Sequence, residues 1–267
     1  MQITLSLAAR SVEILCAISL IIQTVEFLSM RAPLGSRGVW TYDVGRDDLA
    51  HASRPVQALF AFLSREDVWL GHLILRLCAA SALAISGASV PLVVFLFLSA
   101  VVVLIRWRGA FNGGSDFMTI VVLSGLLITT LCAALGDEEL GRRAGLIYIA
   151  IHAASSYFVS GGVKLLNADW RSGKALPLFL DGGVYGPLSR TSPYWSRPVA
   201  MICSWSFIIW ECLAPPAFFD PDFAIAYCVI AGLFHLLVFW HFGLNRFVFA
   251  WLCTFPAIIY VAGQLGS

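Results

Sequence analysis

The sequence has few charged residues and little net charge. Only 12% of its 267 residues are charged, whereas 59% are hydrophobic, and a soluble domain does not have this composition. The net charge of +1 removes the electrostatic basis for binding nucleic acid, so no nucleic-acid partner is expected. We predict one membrane domain over residues 1–267, with the lipid bilayer as its main partner.

Several common motifs of soluble enzymes are also missing. There is no Cys-x-x-Cys pair, no His-Glu-x-x-His, no Gly-rich phosphate loop and no nucleophile elbow. The seven cysteines all lie in apolar runs, which is typical of small core residues. We therefore predict no metal ion and no structural disulfide. Zinc peptidase, nucleotide hydrolase and acyl transferase functions have no support.

What the sequence does have is a series of long apolar runs. A membrane-spanning helix needs about 20 mostly apolar residues, and about eight runs approach that length. Open sheets cannot satisfy their backbone in lipid, so the runs predict an all-α polytopic helical bundle. The predicted spans are 11–30, 68–86, 90–105, a run that ends near 134, 144–166, 199–213, 223–243 and 247–263.

Two polar connections, residues 31–67 and 167–198, are longer than the turns between the other runs. We expect short interfacial helices in them, because 56–63 is apolar and 167–198 is rich in aromatic residues. With eight spans, both connections lie on the face opposite the termini, which we call the convergent face. Glu26, His72 and Arg76 are predicted to lie toward this face, and Glu211 nearer the other one.

Lys164, near the end of the fifth predicted span, is the leading candidate for chemistry. Charged residues inside spans cost about 2.5–3.5 kcal/mol on insertion scales, so they often mark functional sites. On a helix, Lys164 shares a face with Tyr157 and Ser160. A lysine partly removed from water can act as a base or polarise a ligand, while a lysine that only reaches the membrane surface is the alternative. Gly161 and Gly162 would let a helix or a planar ligand approach.

His235 and the pair Glu26 and Arg76 are further intramembrane candidates. His235 lies in an aromatic run and is interpreted either as a catalytic group or as a hydrogen-bonded core histidine. Glu26 and Arg76 are predicted to form an ion pair that joins two helices. Arg76 is also a candidate for ligand binding at the convergent face.

The segment 157–173 reads Tyr-x3-Gly-Gly-Val-Lys-x-Leu-Asn-Ala-Asp-Trp-x2-Gly and resembles the HTTM family. This family is the membrane domain shared by vitamin K-dependent gamma-carboxylase and many bacterial proteins. Phe111-Asn112-Gly-Gly-Ser115, Phe234-His235 with the later Pro256, and Glu211 are similar to other family features. The resemblance implies a reduced quinone, of menaquinone or vitamin K type, as cofactor. The candidate catalytic residues are Lys164 and His235, and the candidate substrate-binding or quinone-binding residues are Asn112, Tyr157, Gly161, Gly162, Asp169, Trp170 and Arg76.

One position departs from the carboxylase pattern. The carboxylase has two consecutive lysines, of which the second is taken as the base; Lys164 fits the first, and Leu165 stands at the second. We therefore expect a related quinone-linked lyase or oxidoreductase, carboxylase- or epoxidase-like, that modifies a peptide or small molecule. The alternatives are a non-catalytic maturation or export partner for a secreted peptide, which would need a soluble partner protein, and a transporter or lipid-binding scaffold.

The expected location is the bacterial cytoplasmic membrane. Most Lys and Arg residues of the connections lie on the convergent face, which by the positive-inside rule indicates that this face is cytoplasmic. The family resemblance implies the opposite orientation. We predict an extracytoplasmic convergent face on the basis of the resemblance.

Overall fold

The structure is a computed structural model that describes residues 3–34, 38, 40–107 and 114–266. These residues contain no β-strand, and the all-α prediction is confirmed. Short 3₁₀ helices occur at Arg46–Leu49, Pro193–Trp195 and Pro215–Phe219. The α-helices within the described ranges are α1 Leu5–Ser29, α2 Arg31–Leu34, α3 Tyr42–Gly45, α4 Arg54–Leu63, α5 Glu66–Ser86, α6 Val90–Trp107, α7 Ser115–Ala134, α8 Glu138–Leu166, α9 Ala168–Arg171, α10 Ala175–Leu180, α11 Arg197–Cys212, α12 Pro221–Phe242, α13 Asn245–Leu252 and α14 Phe255–Leu265.

In the described part of the chain, seven helical segments are long and apolar enough to cross a membrane. They are α1, α5, α6, α7, α8, α12 and the segment Asn245–Leu265, which contains α13 and α14. This architecture is that of an integral multi-pass membrane protein.

The prediction of about eight spans differs from the structure at the sixth. Helix α11 has 16 residues, which is about 24 Å and shorter than the hydrocarbon core of about 30 Å. Pro215 and Pro216 follow it and lack the N–H groups that a continuing α-helix needs. A 3₁₀ turn over Pro215–Phe219 therefore carries the chain onward to the end of α14, where Gly266 lies against Phe219.

The bundle alternates in direction, as the hydropathy pattern predicts. Near the start of α1, Arg10 donates hydrogen bonds to the carbonyls of Leu83 and Ala84 near the end of α5. Near the end of α1, Glu26 pairs with Arg246 at the start of α13, with Arg246 Nε 3.0 Å from Glu26 Oε2. The start of α1 thus lies beside the end of α5, and the end of α1 lies beside the start of α13, so α1 runs antiparallel to both helices.

Helix α8, which carries Lys164, has well-defined ends. The Asp137 carboxylate accepts a hydrogen bond from the Leu140 N–H at 2.9 Å and caps its first turn. At the other end, the Asn167 side chain accepts the Asp169 N–H at 2.8 Å and starts α9. Lys164 thus lies in the last turn of a 29-residue helix.

Helices α7 and α8 pack closely through small residues. A Cβ atom on Gly145 would lie 2.5 Å from the Gly125 carbonyl oxygen, so only glycine fits between these two backbones. Such small-residue contacts are a common way for membrane helices to approach each other. This interface fixes α8 against the rest of the bundle.

Short helices are present in both long polar connections, as predicted. The first connection contains α2, α3 and α4, and the second contains α9 and α10. Helix α4 exposes Val56, Leu59 and Phe62. These residues recur every three positions and form one apolar face, as expected of a helix at a membrane surface.

Candidate functional site

Lys164 is held by three side-chain oxygen atoms. Its Nζ donates to Glu211 Oε2 at 2.7 Å, to Glu211 Oε1 at 2.8 Å and to Ser160 Oγ at 2.6 Å. The Ser160 hydroxyl in turn donates to Glu211 Oε1 at 3.0 Å. The Trp170 ring centroid lies 5.5 Å from Nζ, within cation–π range. The Lys164 side chain is 19% exposed and that of Glu211 6%, so this ion pair lies largely out of water.

The prediction that Glu211 lies nearer the opposite face is wrong. Because α11 is short, its last turn packs against the last two turns of α8 and brings Glu211 beside Lys164. Gly161 makes this contact possible, since a Cβ atom there would lie 2.9 Å from the Cys212 backbone nitrogen and from Glu211 Cβ. A Cβ atom on Gly162 would meet no described atom within 4 Å. Of the two glycines, only Gly161 supports a helix contact.

Tyr157 and His235 form a second polar pair at the same site. The Tyr157 hydroxyl lies 2.5 Å from His235 Nε2, which is hydrogen-bond distance. Both side chains are buried. The His235 ring stacks on Trp251 with centroids 5.2 Å apart, and the Tyr157 ring contacts Trp251 at 4.6 Å. Aromatic packing therefore fixes the orientation of both groups.

A cavity of about 510 Å³ joins the two pairs. Its polar wall contains Tyr157, Ser160, Lys164, Glu211 and His235. The rest of the wall is mainly aromatic and includes Trp170, Phe207, Phe234, Phe247 and Trp251. Leu237 and Trp240 of α12 also line the cavity and are exposed. The cavity thus reaches the apolar outer surface of the bundle.

The structure brings together four of the predicted site residues on the wall of this cavity: Lys164, His235, Tyr157 and Trp170. Asp169 is exposed and lies in the first turn of α9, so its role in the structure is at a helix end. Asn112, predicted to bind the ligand, lies outside the described residues.

Arg76 belongs to a different cluster. It is fully buried and donates to Thr24 Oγ1 at 3.1 Å, to Ser99 Oγ at 2.9 Å and to Gln23 Oε1. The predicted ion pair between Arg76 and Glu26 is wrong, because α13 brings Arg246 to Glu26 instead. Arg76 lies level with Gln23 and Thr24, which are neutral and lie one helical turn before Glu26 in α1.

Sequence reasoning did not include Glu211 or Ser160 among the site residues. An acidic residue in an apolar run is itself a signal for a site, and Glu211 is such a residue. Its partner could not be read from the sequence, because the contact depends on where α11 ends relative to α8. Ser160 lies one helical turn before Lys164, and this spacing indicated that the two share a face.

Four buried polar atoms close to the cavity have no hydrogen-bond partner among the described residues. They belong to residues that pack around Tyr157: His235 Nδ1, Trp210 Nε1, Trp251 Nε1 and Tyr227 Oη. Buried polar atoms in proteins are nearly always hydrogen-bonded, to protein or to ordered water. Two of the four residues, His235 and Trp251, line the cavity, so the site can offer hydrogen bonds to a polar ligand.

The sequence matches no protein-family model, no curated protein and no solved structure. Within the described residues, no group of three His, Cys, Asp or Glu side chains is arranged to hold a metal ion. The geometry of the Lys164 cavity and the resemblance of residues 157–173 to the HTTM family therefore remain as the indications of function.

Proposed function

We propose that this chain is a membrane-embedded enzyme, or the membrane subunit of one, that binds a reduced quinone or a similar lipid-soluble ring in the Lys164 cavity. The observation that supports the proposal is that one cavity is lined by both a polar cluster and aromatic side chains. The polar cluster consists of Ser160, Lys164 and Glu211. Ligand sites with this combination bind a mostly apolar molecule and orient it through few polar contacts. The resemblance to the HTTM family supports the same proposal.

The residues present fit a quinone in size and chemistry. Small-molecule sites are typically about 300–1,000 Å³, and this cavity has about 510 Å³. Aromatic side chains such as Trp251 and Phe234 offer faces for a planar ring. His235 Nδ1 and Trp251 Nε1, which have no partner in the described chain, offer hydrogen bonds to ring oxygens. When bound, a reduced quinone would supply two electrons and two protons for modification of a peptide or small molecule.

Lys164 and Glu211 would have different roles, one as the group that polarises the ligand and the other as the proton acceptor. Nζ of Lys164 donates to both Glu211 oxygens, and a charge-assisted contact of this kind pairs an ammonium with a carboxylate. An ammonium has no lone pair to accept a proton, so Glu211 is the proton acceptor in this arrangement. A ligand oxygen that replaces one of the three oxygen atoms around Nζ would be polarised by Lys164, which is the second of the two roles that the sequence allowed. Tyr157 and His235 orient the ring.

The test is a ligand titration of the purified full-length protein in detergent. Trp170 and Trp251 line the cavity, so binding of a short-chain quinone should quench tryptophan fluorescence. Lys164→Met should weaken the affinity at least about tenfold, because one charge-assisted hydrogen bond contributes about 1.5–3 kcal/mol. Lys174, the other lysine of the chain, is exposed and does not line the cavity, so Lys174→Met is a matched control. Unchanged quinone affinity and product formation in Lys164→Met would contradict the proposal.

We also propose a bacterial cytoplasmic membrane as the location, with the convergent face outside the cytoplasm. The support is the family resemblance, whereas the distribution of basic residues favours the reverse orientation. Single cysteines in a cysteine-free background decide between the two. Ser189→Cys and Leu135→Cys introduce thiols at exposed positions in opposite connections. A membrane-impermeant reagent applied to intact cells should label position 189 and not position 135; the reverse labelling would contradict the assignment.

A further inference from the structure

A second pocket, which we call the Arg246 pocket, lies where α1, α6, α7 and α13 meet. It has a volume of about 460 Å³. Phe247 lines both this pocket and the Lys164 cavity, so the two spaces share a lining residue. The lining residues that matter here are Glu26, Trp107, Ser115, Asn245 and Arg246.

Arg246 is held in a fixed orientation in this pocket. Its Nε donates toward Glu26 Oε2 at 3.0 Å, and its Nη1 lies 3.6 Å from Asp116 Oδ1. Its guanidinium carbon lies 4.9 Å from the Trp107 ring centroid and 5.3 Å from that of Phe27. Two carboxylates and two aromatic faces thus hold the guanidinium before any ligand binds, which lowers the entropic cost of binding.

Four lining residues carry buried polar atoms that make no hydrogen bond in the described part of the chain. The atoms are Glu26 Oε1, Trp107 Nε1, Ser115 Oγ and Arg246 Nη1. Ser115 is only 1% exposed and Trp107 only 7%. Because buried polar atoms are nearly always paired, four such atoms around one pocket indicate a built site for a polar group.

We propose that the Arg246 pocket binds a neutral molecule with an amide-type group, in which a carbonyl oxygen lies next to an N–H. Trp107 Nε1 and Arg246 Nη1 are donors for the carbonyl oxygen, and Glu26 Oε1 is an acceptor for the N–H. The Ser115 hydroxyl can serve either. Glu26 and Arg246 are the charged residues of the described lining and pair with each other, so the lining has no net charge and a neutral group fits best. This site does not depend on a quinone in the Lys164 cavity.

The experiment compares three probes of similar size, propionamide, propionate and propylammonium, by saturation-transfer NMR on the full-length protein in nanodiscs. Propionamide should give the strongest transfer. Trp107→Phe keeps the ring beside Arg246 and loses the N–H, and Ser115→Ala loses only the hydroxyl. Each variant should bind propionamide about fivefold more weakly, as expected for one lost hydrogen bond.

The Lys164→Met variant separates this proposal from the proposed function. It should weaken quinone binding and leave propionamide binding unchanged, while Trp107→Phe should do the opposite. Equal or tighter binding of propionate or propylammonium would overturn the assignment to a neutral amide. Wild-type propionamide affinity in both Trp107→Phe and Ser115→Ala would overturn the site itself.

Discussion

Arg76 and Lys164 are both cations within apolar helices, but their surroundings differ. Arg76 is fully buried among the side chains of Gln23, Thr24 and Ser99, and it lines neither the Lys164 cavity nor the Arg246 pocket. Lys164 shares the wall of a cavity with Glu211. A charged residue in a span therefore indicates a site only where it borders space for a ligand; Arg76 instead joins α1, α5 and α6.

The largest effect on stability is expected from Arg76→Met. This change removes one hydrogen bond from each of Gln23, Thr24 and Ser99. Gln23 keeps its bond to Asp116 and Ser99 its contact with His72, so each buried side chain loses one of its partners. A buried polar group that loses its partner costs about 1–3 kcal/mol, so the three lost bonds should together lower the free energy of unfolding by about 3–5 kcal/mol. Equilibrium unfolding in mixed detergent micelles measures the loss of stability. The stability of Arg76→Lys, which keeps the charge, should lie between those of the wild type and Arg76→Met. A loss below about 1 kcal/mol would show that the cluster does not join the helices.

Lys164→Met should lower the free energy of unfolding by about 2 kcal/mol. This is less than the roughly 3–5 kcal/mol for a fully buried pair, because the Lys164 side chain is 19% exposed and Glu211 keeps Ser160 as a partner. Adding Glu211→Gln removes the unpaired charge and should recover most of this loss. The double variant should still bind a quinone at least about tenfold more weakly than the wild type, so stability and binding separate at this site. If the double variant is no more stable than Lys164→Met in the same unfolding assay, the ion pair does not explain the loss.

Gly161→Ala and Gly162→Ala form a matched pair on adjacent residues. A Cβ atom on Gly161 would press on the Cys212 backbone and on Glu211, whereas one on Gly162 meets no described atom within 4 Å. Gly161→Ala should therefore destabilise by about 1–3 kcal/mol and loosen the Lys164 contact. Gly162→Ala should be neutral or stabilise by up to about 1 kcal/mol through helix propensity. Equal thermal midpoints for the two variants would contradict the close packing of α8 and α11.

The smallest effect is expected from two tyrosine variants. Tyr157→Phe removes the hydroxyl that lies 2.5 Å from His235 Nε2 and should cost about 1 kcal/mol. The Tyr227 hydroxyl has no hydrogen-bond partner in the described chain. Tyr227→Phe should accordingly be neutral or slightly stabilising. Thermal unfolding of both variants under the same conditions checks the difference, and a larger loss for Tyr227→Phe would contradict it.

Features within a single helix could be predicted from the sequence. The apolar runs predicted the long helices, because a run of about 20 apolar residues has few other stable states in lipid. The spacing of Tyr157, Ser160 and Lys164 predicted a shared face, and all three line the cavity. Helical geometry alone sets such local relations.

Contacts between helices could not be predicted, because they depend on how deep in the membrane each helix lies relative to its neighbours. Arg76 and Glu26 have the right charges to pair, yet Arg76 lies level with Gln23 and Thr24, and Glu26 meets Arg246. Glu211 reaches Lys164 only because α11 is short and Gly161 lets it approach. The depth of a helix and its distance from its neighbours are set by side-chain packing between helices, which cannot be read from a single sequence.

The most direct measurement is an experimental structure of the protein in lipid with a short-chain quinone. The predicted result is density for the ring inside the Lys164 cavity, with a ring oxygen about 3 Å from Lys164 Nζ or from the Glu211 carboxylate. Density for the ring elsewhere, or an acyl chain filling the cavity while Lys164 and Glu211 keep their contact unchanged, would contradict the proposed quinone site.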